Sequence, residues 1–396
     1  MRDAVTKREL YFAQLTDIHV GEGLNPKEAA WNLRWALEEL EMLSPKPELI
    51  LATGDLVCAG KASELREFAE LVKDSSIPIL ALPTNHDLWG EPDERAWTEI
   101  IGPLRRSVEV KGVKFLTWND IQRQPEGGWK AELREEQREW FEEELEGAEG
   151  KPVIVAQHCP PLPVGGDYHD QWRGSNADEL LELLSRYNVL AMITGHWHRN
   201  GEWRAKGVRV INTGALCGWQ WTGIPPHRCF PTRPGYRLFH FDGKRTLRSF
   251  WRDGSFWETP APKVQVSLVH IGGAHTGGPR PQVRPIEVFA KTTLRVTAYA
   301  RGGKITKVEW STERDRWRPM RITFEGLWSE WEGSIDPLEE RALGEHILIV
   351  RAEDMDGNRA YDAVPIRLAE RECTPMVPTP AQSGREMVFE LFYPPE

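Results

Sequence analysis

LYFAQLTDIHVG, residues 10–21, sets the reading of the chain. Leu10 to Leu15 is a short apolar and aromatic run of strand character, and it stops at a loop carrying Asp17 and His19, two residues apart. The same grammar recurs downstream. Apolar runs end in LATGDLV (51–57) with Asp55, in LPTNHD (82–87) with Asn85, His86 and Asp87, in VAQHCPP (155–161) with His158, and in ITGHWHRNG (193–201) with His196 and His198. Every one of these polar groups falls just past the carboxyl end of an expected strand, where open α/β sheets place their ligands.

Seven strands are expected: Leu10 to Leu15, Leu49 to Ala52, Pro78 to Leu82, Val113 to Trp118, Val153 to Gln157, Leu190 to Thr194 and Val208 to Asn212. Between them Pro26 to Met42, Ser63 to Lys73, Glu132 to Leu145 and Asn176 to Tyr187 place apolar residues three and four apart, which predicts helices and an α/β layered domain. Asn176, before an acidic first turn, is expected to be an N-cap. After about residue 255 the texture changes. Pro and Gly cluster in TPAPK and GGAHTGGPRPQVRP, and helical periodicity is replaced by short β-branched and aromatic runs at Thr293 to Ala300, Thr306 to Ser311, Trp317 to Phe324 and His346 to Ala352. The expected domains are 1–254 (α/β), 255–371 (an all-β sandwich similar to immunoglobulin or fibronectin type III modules) and a Pro-containing tail, 372–396.

A chain of 396 residues exceeds one ordinary core, in keeping with two domains. The formal charge of −10 and the lack of a basic stripe argue against nucleic acid as a partner and leave a compact phosphorylated substrate open. The five cysteines lack the paired spacing of a thiolate zinc site and are read as reduced thiols. No run approaches the roughly 20 apolar residues of a membrane span, and MRDAVTKREL has no signal-peptide apolar region, so a cytoplasmic location is expected, a trimmed leader aside.

The series DxH, GD, NHD, H and GHxH, in this order over residues 10–215, resembles the five-block signature of calcineurin-like metallophosphoesterases. LREEQREWFEEEL (133–145) and the HCPP segment are similar to class III cyclic-nucleotide phosphodiesterases. GALCGWQWTG (214–223) with PGYRLFHFDG (234–243) is similar to a bacterial branch with an extra C-terminal domain. The resemblance implies a four-layer α/β/β/α sandwich and two metal ions per chain, divalent or mixed-valence, drawn from Mn, Fe, Zn or Co. Two neighbouring cations need a shared carboxylate and separate nitrogen and oxygen ligands. By resemblance Asp55 bridges, Asp17, His19 and His198 complete one site, and Asn85, His158 and His196 complete the other. His86 would then serve the leaving oxygen as proton donor or charge stabiliser, with Asp87 orienting its other ring nitrogen or raising its basicity. Two positions depart from the family pattern. Thr84 stands where the third block usually has Gly, which would crowd the turn, and Cys58 stands where purple acid phosphatases place a metal-binding tyrosine.

For substrate contacts the loop PVGGDYHDQWRG offers Tyr168, His169 and Trp172, set against a simple solvated loop. Trp197, Trp219 and Trp221 are candidates for stacking, set against core packing in a chain with 18 tryptophans. Metal-dependent hydrolysis of a phosphate ester is the function expected, a diester before a monoester. A nuclease and a non-catalytic metal-binding module stand as alternatives, and the C-terminal sandwich is read as a brace or as the surface for a second copy or a partner.

Overall fold

The computed structural model describes residues 9–21, 26–125, 127–161, 176–221, 229–255, 260–272, 274–275, 285–313, 316–340 and 343–369. Contacts divide the chain into two units, Met1–Ala261 and Pro262–Glu396.

The strands of the first unit are β1 (Leu10–Leu15), β2 (Leu49–Thr53), β3 (Ile79–Leu82), β4 (Arg105–Val110), β5 (Val113–Trp118), β6 (Ile121–Arg123), β7 (Trp129–Ala131), β8 (Val153–Ala156), β9 (Val189–Thr194), β10 (Gly201–Ala205), β11 (Val208–Asn212), β12 (Trp219–Trp221), β13 (Cys229–Pro231), β14 (Gly235–Phe241) and β15 (Leu247–Asp253). They form a five-stranded sheet, β15-β14-β1-β2-β3, and a six-stranded sheet, β10-β11-β9-β8-β5-β4, besides two small ribbons. In the first sheet β1, β2 and β3 run parallel, with Phe12 opposite Leu49 and Leu51 opposite Leu80. In the second, β11, β9, β8 and β5 are parallel. Side chains alternate across a strand, so Leu10 and Phe12, Leu49 and Leu51, Phe115, Ile154, Ile193 and Phe239 meet in one core between the two sheets. Phe12 stacks on Phe239 at 4.5 Å and meets Phe115 edge-on at 5.2 Å.

The opposite strand faces are apolar too, and helices cover them, as parallel strands buried on both sides require. The helices are α1 (Pro26–Met42), α2 (Ala62–Val72), α3 (Asn85–Leu88), α4 (Arg95–Ile100), α5 (Glu135–Glu146) and α6 (Ala177–Leu184). On the α1 side Trp35 packs on Tyr236 of β14, and on the α5 side Phe141 meets Trp118 of β5. Asn176 is not a side-chain cap: its amide donates to Leu133 O at 2.8 Å and accepts from Leu133 N at 2.9 Å, pinning the start of α6 to the segment before α5. Cys58, Cys159 and Cys217 are free thiols. Among the described residues no helix is long and apolar enough to cross a membrane.

In the second unit Val264–Ile271, Thr292–Ala300, Ser329–Ile335 and Arg321–Glu325 make one sheet with Ala274–His275. Ile286–Val288, Arg359–Leu368, Gly344–Asp354, Ile305–Ser311 and Arg318–Pro319 make another. Leu268, Val296, Val308, Trp310, Leu348, Val350 and Ile366 share one core between them. The single strand expected over Trp317 to Phe324 is two: Arg318–Pro319 pairs with Glu309 and Trp310, whereas Arg321–Glu325 pairs with the strand Ser329–Ile335 of the other sheet. Pro319, which has no N–H for a ladder, sits at that change of sheet, in an edge strand.

An ion pair ties α1 to the β14–β15 hairpin. Glu39, buried, accepts from Arg252 Nη2 at 2.7 Å and Tyr236 Oη at 3.1 Å, and Arg252 is fully buried. Glu39→Ala would strand the guanidinium. Chemical denaturation is expected to show a loss of about 3–5 kcal/mol, most of it recovered in the apolar double variant Glu39→Leu/Arg252→Met.

Candidate metal centre

The loops after β1, β2 and β9 hold unusual backbone. Asp17, His19, Asp55, His196 and His198 all have φ between 50° and 69°, five of the eight non-glycine residues with positive φ among the described residues. Such conformations cost on the order of 1–3 kcal/mol each and persist only where surroundings over-determine them. Here they do. Asp55 O accepts from Ile18 N at 2.8 Å and His19 N at 2.9 Å, Asp17 O from Cys217 N at 3.0 Å, and His158 O from Gly195 N at 3.0 Å. Packing is tight enough to exclude side chains. A Cβ on Gly54, φ 86°, would lie 2.8 Å from His158 Nδ1, and one on Gly195 would lie 2.0 Å from Thr16 Oγ1.

The ring nitrogens divide by role. His158 Nδ1 lies 2.8 Å from Thr53 O, His86 Nδ1 lies 2.6 Å from Cys58 O, and His198 Nδ1 bonds Trp219 O. A carbonyl can only accept, so each Nδ1 carries a proton, and each ring turns Nε2 inward, where it becomes a lone pair once any second proton is displaced, the arrangement of metal-ligating histidines. These Nε2 atoms face carboxylates and one another. His158 Nε2 is 3.3 Å from Asp55 Oδ2, His198 Nε2 is 3.1 Å from Asp17 Oδ1, and His19 Nε2 is 3.5 Å from Asp55 Oδ2 and 3.3 Å from His198 Nε2. Asp55 Oδ1 is buried with no hydrogen-bond partner. So many acceptors around so few protons is a donor set for cations. The ligand atoms of Asp17, His19, Asp55 and His198 lie within 4.8 Å of one another, as do those of Asp55, His158 and His196, so Asp55 belongs to both groups. Asn85 is buried at the start of α3, its Oδ1 accepting from Thr84 Oγ1 at 2.9 Å.

Charge follows from burial opposed by these neighbours. Burial pushes His19 and His196 down to about 3. Burial also opposes a charge on His158, but Asp55 and Asp17 outweigh it and lift that ring to about 10. Asp17 is held down at about 2 because His198 and His158 overcome the cost of its burial.

Two expectations are corrected. Asp87 does not orient the His86 ring, which the Cys58 carbonyl holds; its carboxylate instead accepts from Leu56 N at 2.8 Å, Val57 N at 3.1 Å and Thr84 N at 3.1 Å, fixing the loop that carries Asp55. Thr84 does not strain the turn, for at φ −148° its backbone is extended and open to any residue. Tyr168, His169 and Trp172 lie outside the described residues, as does the side chain of Trp221. Trp197 packs edge-on against Trp203 at 5.5 Å, and Trp219, besides its carbonyl bond to His198, donates its indole N–H to Glu28. Not anticipated from the sequence are Asp120, whose Oδ2 accepts from Cys159 N at 2.8 Å beside His158, and the tryptophans Trp89 and Trp129, which meet His86 and His196. Asp120 also follows a strand end, so the rule that picked out the candidate ligands extends to it.

Strand-end carboxylates and imidazoles converging on a shared Asp define a dinuclear metallohydrolase type of site. Residues 10–200 match the family described as calcineurin-like phosphoesterase. Over 164 residues the chain is 33% identical to a probable glycerophosphodiester phosphodiesterase GpdQ of Arcobacter nitrofigilis, covering 40% of this chain and 59% of that one, less than two thirds of its length. It is 28% identical to the 3',5'-cyclic adenosine monophosphate phosphodiesterase CpdA of Escherichia coli over 59% of this chain and 86% of that one. It is 24% identical to a 3',5'-cyclic-nucleotide phosphodiesterase of Nostoc sp. over 66% and 95%.

Since Asp55 and Asp17 keep His158 protonated in the metal-free protein, up to about 10, binding a cation there must expel that proton. Metal affinity is therefore expected to rise with pH between about 6 and 8, by up to about tenfold per unit for each proton released, in chelator competition. The same raised value stabilises the metal-free fold below the ordinary histidine value of 6.5, a contribution lost as pH climbs through about 10. Thermal scans should show the metal-free protein softening over that range more than the loaded one.

Proposed function

We propose that the chain is a metal-dependent phosphoesterase acting on phosphodiesters, with Asp55 shared between two cations. The observation that carries this reading is the membership of Asp55 in both ligand groups together with its buried, unpartnered Oδ1. Asp17, His19 and His198 would hold one ion beside Asp55, and Asn85, His158 and His196 the other. Bound there, the ions would supply Lewis-acid charge to the phosphoryl oxygens. The relatives named as diesterases support a diester over a monoester.

The protein's own part is positioning and proton handling. With Nδ1–H committed to the Cys58 carbonyl, His86 has only Nε2 free to carry a proton to the leaving oxygen, and its ring lies 4.7 Å from that of His19. Asp87 keeps the Asp55 loop in its left-handed turn, and Thr53 O and Trp219 O keep the lone pairs of His158 and His198 inward.

The second unit, two five-stranded sheets on one core, is read as an immunoglobulin- or fibronectin-like sandwich. Among the described residues every group of side chains suited to a metal lies in the first unit.

The test is metal content alongside hydrolysis of bis-p-nitrophenyl phosphate by the protein and by Asp55→Asn. About two ions per chain and a loss on the order of 10²–10³ in the variant are expected, the scale on which removing a charge-stabilising group acts; no metal under replete conditions would sink the reading. His86→Ala should cut turnover of an alkyl diester by about 10²–10⁴, and that of an aryl diester, whose leaving group needs no proton, far less.

A further inference from the structure

A tryptophan accompanies each of three histidines at the centre. Trp89, three residues past His86 at the end of α3, has its ring centroid 3.9 Å from that imidazole, yet is 46% exposed. Trp129 meets His196 edge-on at 5.7 Å and is half-buried. Trp219, also half-buried, gives its carbonyl to His198, but its indole is occupied with Glu28. Core tryptophans here look different: Trp97 and Trp118 are 1% and 2% exposed. An indole left nearly half in water forgoes burial worth about 25 cal/mol per Å². Trp89, nearly half exposed, and Trp129, partly buried, both border one polar centre and form a surface suited to an apolar guest.

These rings are also held. Trp129 sits on the β6–β7 hairpin, whose base pair Ile121 and Ala131 packs with Cys159, the residue after His158. From the same hairpin Arg123 donates to the carbonyls of Leu88 and Glu91, on either side of Trp89. The hairpin therefore links the His158 loop to the His86 turn and fixes both indoles against one centre. Indole faces stack planar rings at about 1–3 kcal/mol apiece and gain much less from a small aliphatic alcohol.

We propose that Trp89 and Trp129 are specificity-determining residues that take a planar aromatic group, a nucleobase or an aryl ring, on the organic part of the diester. His86 serves the leaving oxygen, so the group beside Trp89 is the one on the leaving alcohol. This inference rests on the phosphodiesterase reading above.

Calorimetric binding of adenosine 5'-monophosphate and ribose 5-phosphate to the metal-loaded full chain isolates the ring, because the sugar phosphate has only a hydroxyl where the nucleotide has its base. The expected result is adenosine monophosphate binding about tenfold tighter, within the roughly 5- to 150-fold that one stack provides. Trp89→Leu should erase most of that preference and Trp129→Leu reduce it, with ribose 5-phosphate unchanged within about twofold. Trp89→Phe, which keeps a ring on the same Cβ, should retain most of it, so the outcome does not hang on whether the leucine variant folds. Equal binding of the two phosphates by the unaltered chain, or a preference that survives both leucine variants, would overturn the proposal. Binding of neither phosphate, with no diester turned over, would bring down the phosphoesterase reading and this inference with it.

Discussion

The placement of the Asp55 carboxylate, buried at the end of β2 among imidazole lone pairs, is the constraint on which the rest of the first unit depends. A carboxylate taken from water with an oxygen left unpartnered is costly unless a compensating charge meets it. His158, His19 and His198 gather around it and Asp17 rather than around apolar neighbours, and nitrogen faces nitrogen at 3.3 Å between His19 and His198 and at 3.1 Å between His158 and His196. Left to themselves these groups repel or compete for protons. Only cations or trapped protons reconcile them, which is why His158 and His198 are lifted while His19 and His196 are pushed down.

Holding such a cluster demands a rigid cradle, and the loops supply it through backbone rather than side chains. The left-handed turns at Asp17, His19, Asp55, His196 and His198 aim five side chains at one region, and main-chain hydrogen bonds between the β1, β2, β9 and β11 loops keep them there. Asp87 and Asp120 do the same from outside, each spending its carboxylate on backbone N–H groups next to a ligand. The strain is affordable because the strands behind it are anchored in the two-sheet core around Phe12, Phe115 and Phe239.

Closure of that core comes from late in the chain. The β14–β15 hairpin adds to β1 antiparallel, with Phe12 opposite Phe239, and the Glu39–Arg252 pair fastens it under α1. The layers of the first unit thus need residues up to Asp253, well beyond the last candidate ligand at His198.

Much of this was legible in the residues. Apolar runs of period two or unbroken hydrophobicity, each followed by Asp, Asn or His, gave the parallel strands and the candidate ligands, because a buried strand must be apolar and its carboxyl end is where polar groups can converge. Helix α1 was readable to its ends, Pro26 and Met42, from its three-and-four spacing. What spacing could not give was which neighbour each group would meet. Sequence pairs Asp87 with His86 because they are adjacent, yet a turn of α3 sends the carboxylate to Leu56 and Val57 and leaves the imidazole to a carbonyl of Cys58, 28 residues earlier. Likewise a half-exposed indole and a core indole are the same letter, and Trp89 and Trp118 differ only in what folds over them. The sequence by itself determined the chemistry available and the strand ends that carry it, since these rest on local polarity and periodicity; tertiary structure alone decided proton direction, bracing partners and exposed faces, since those depend on contacts between segments far apart in the chain.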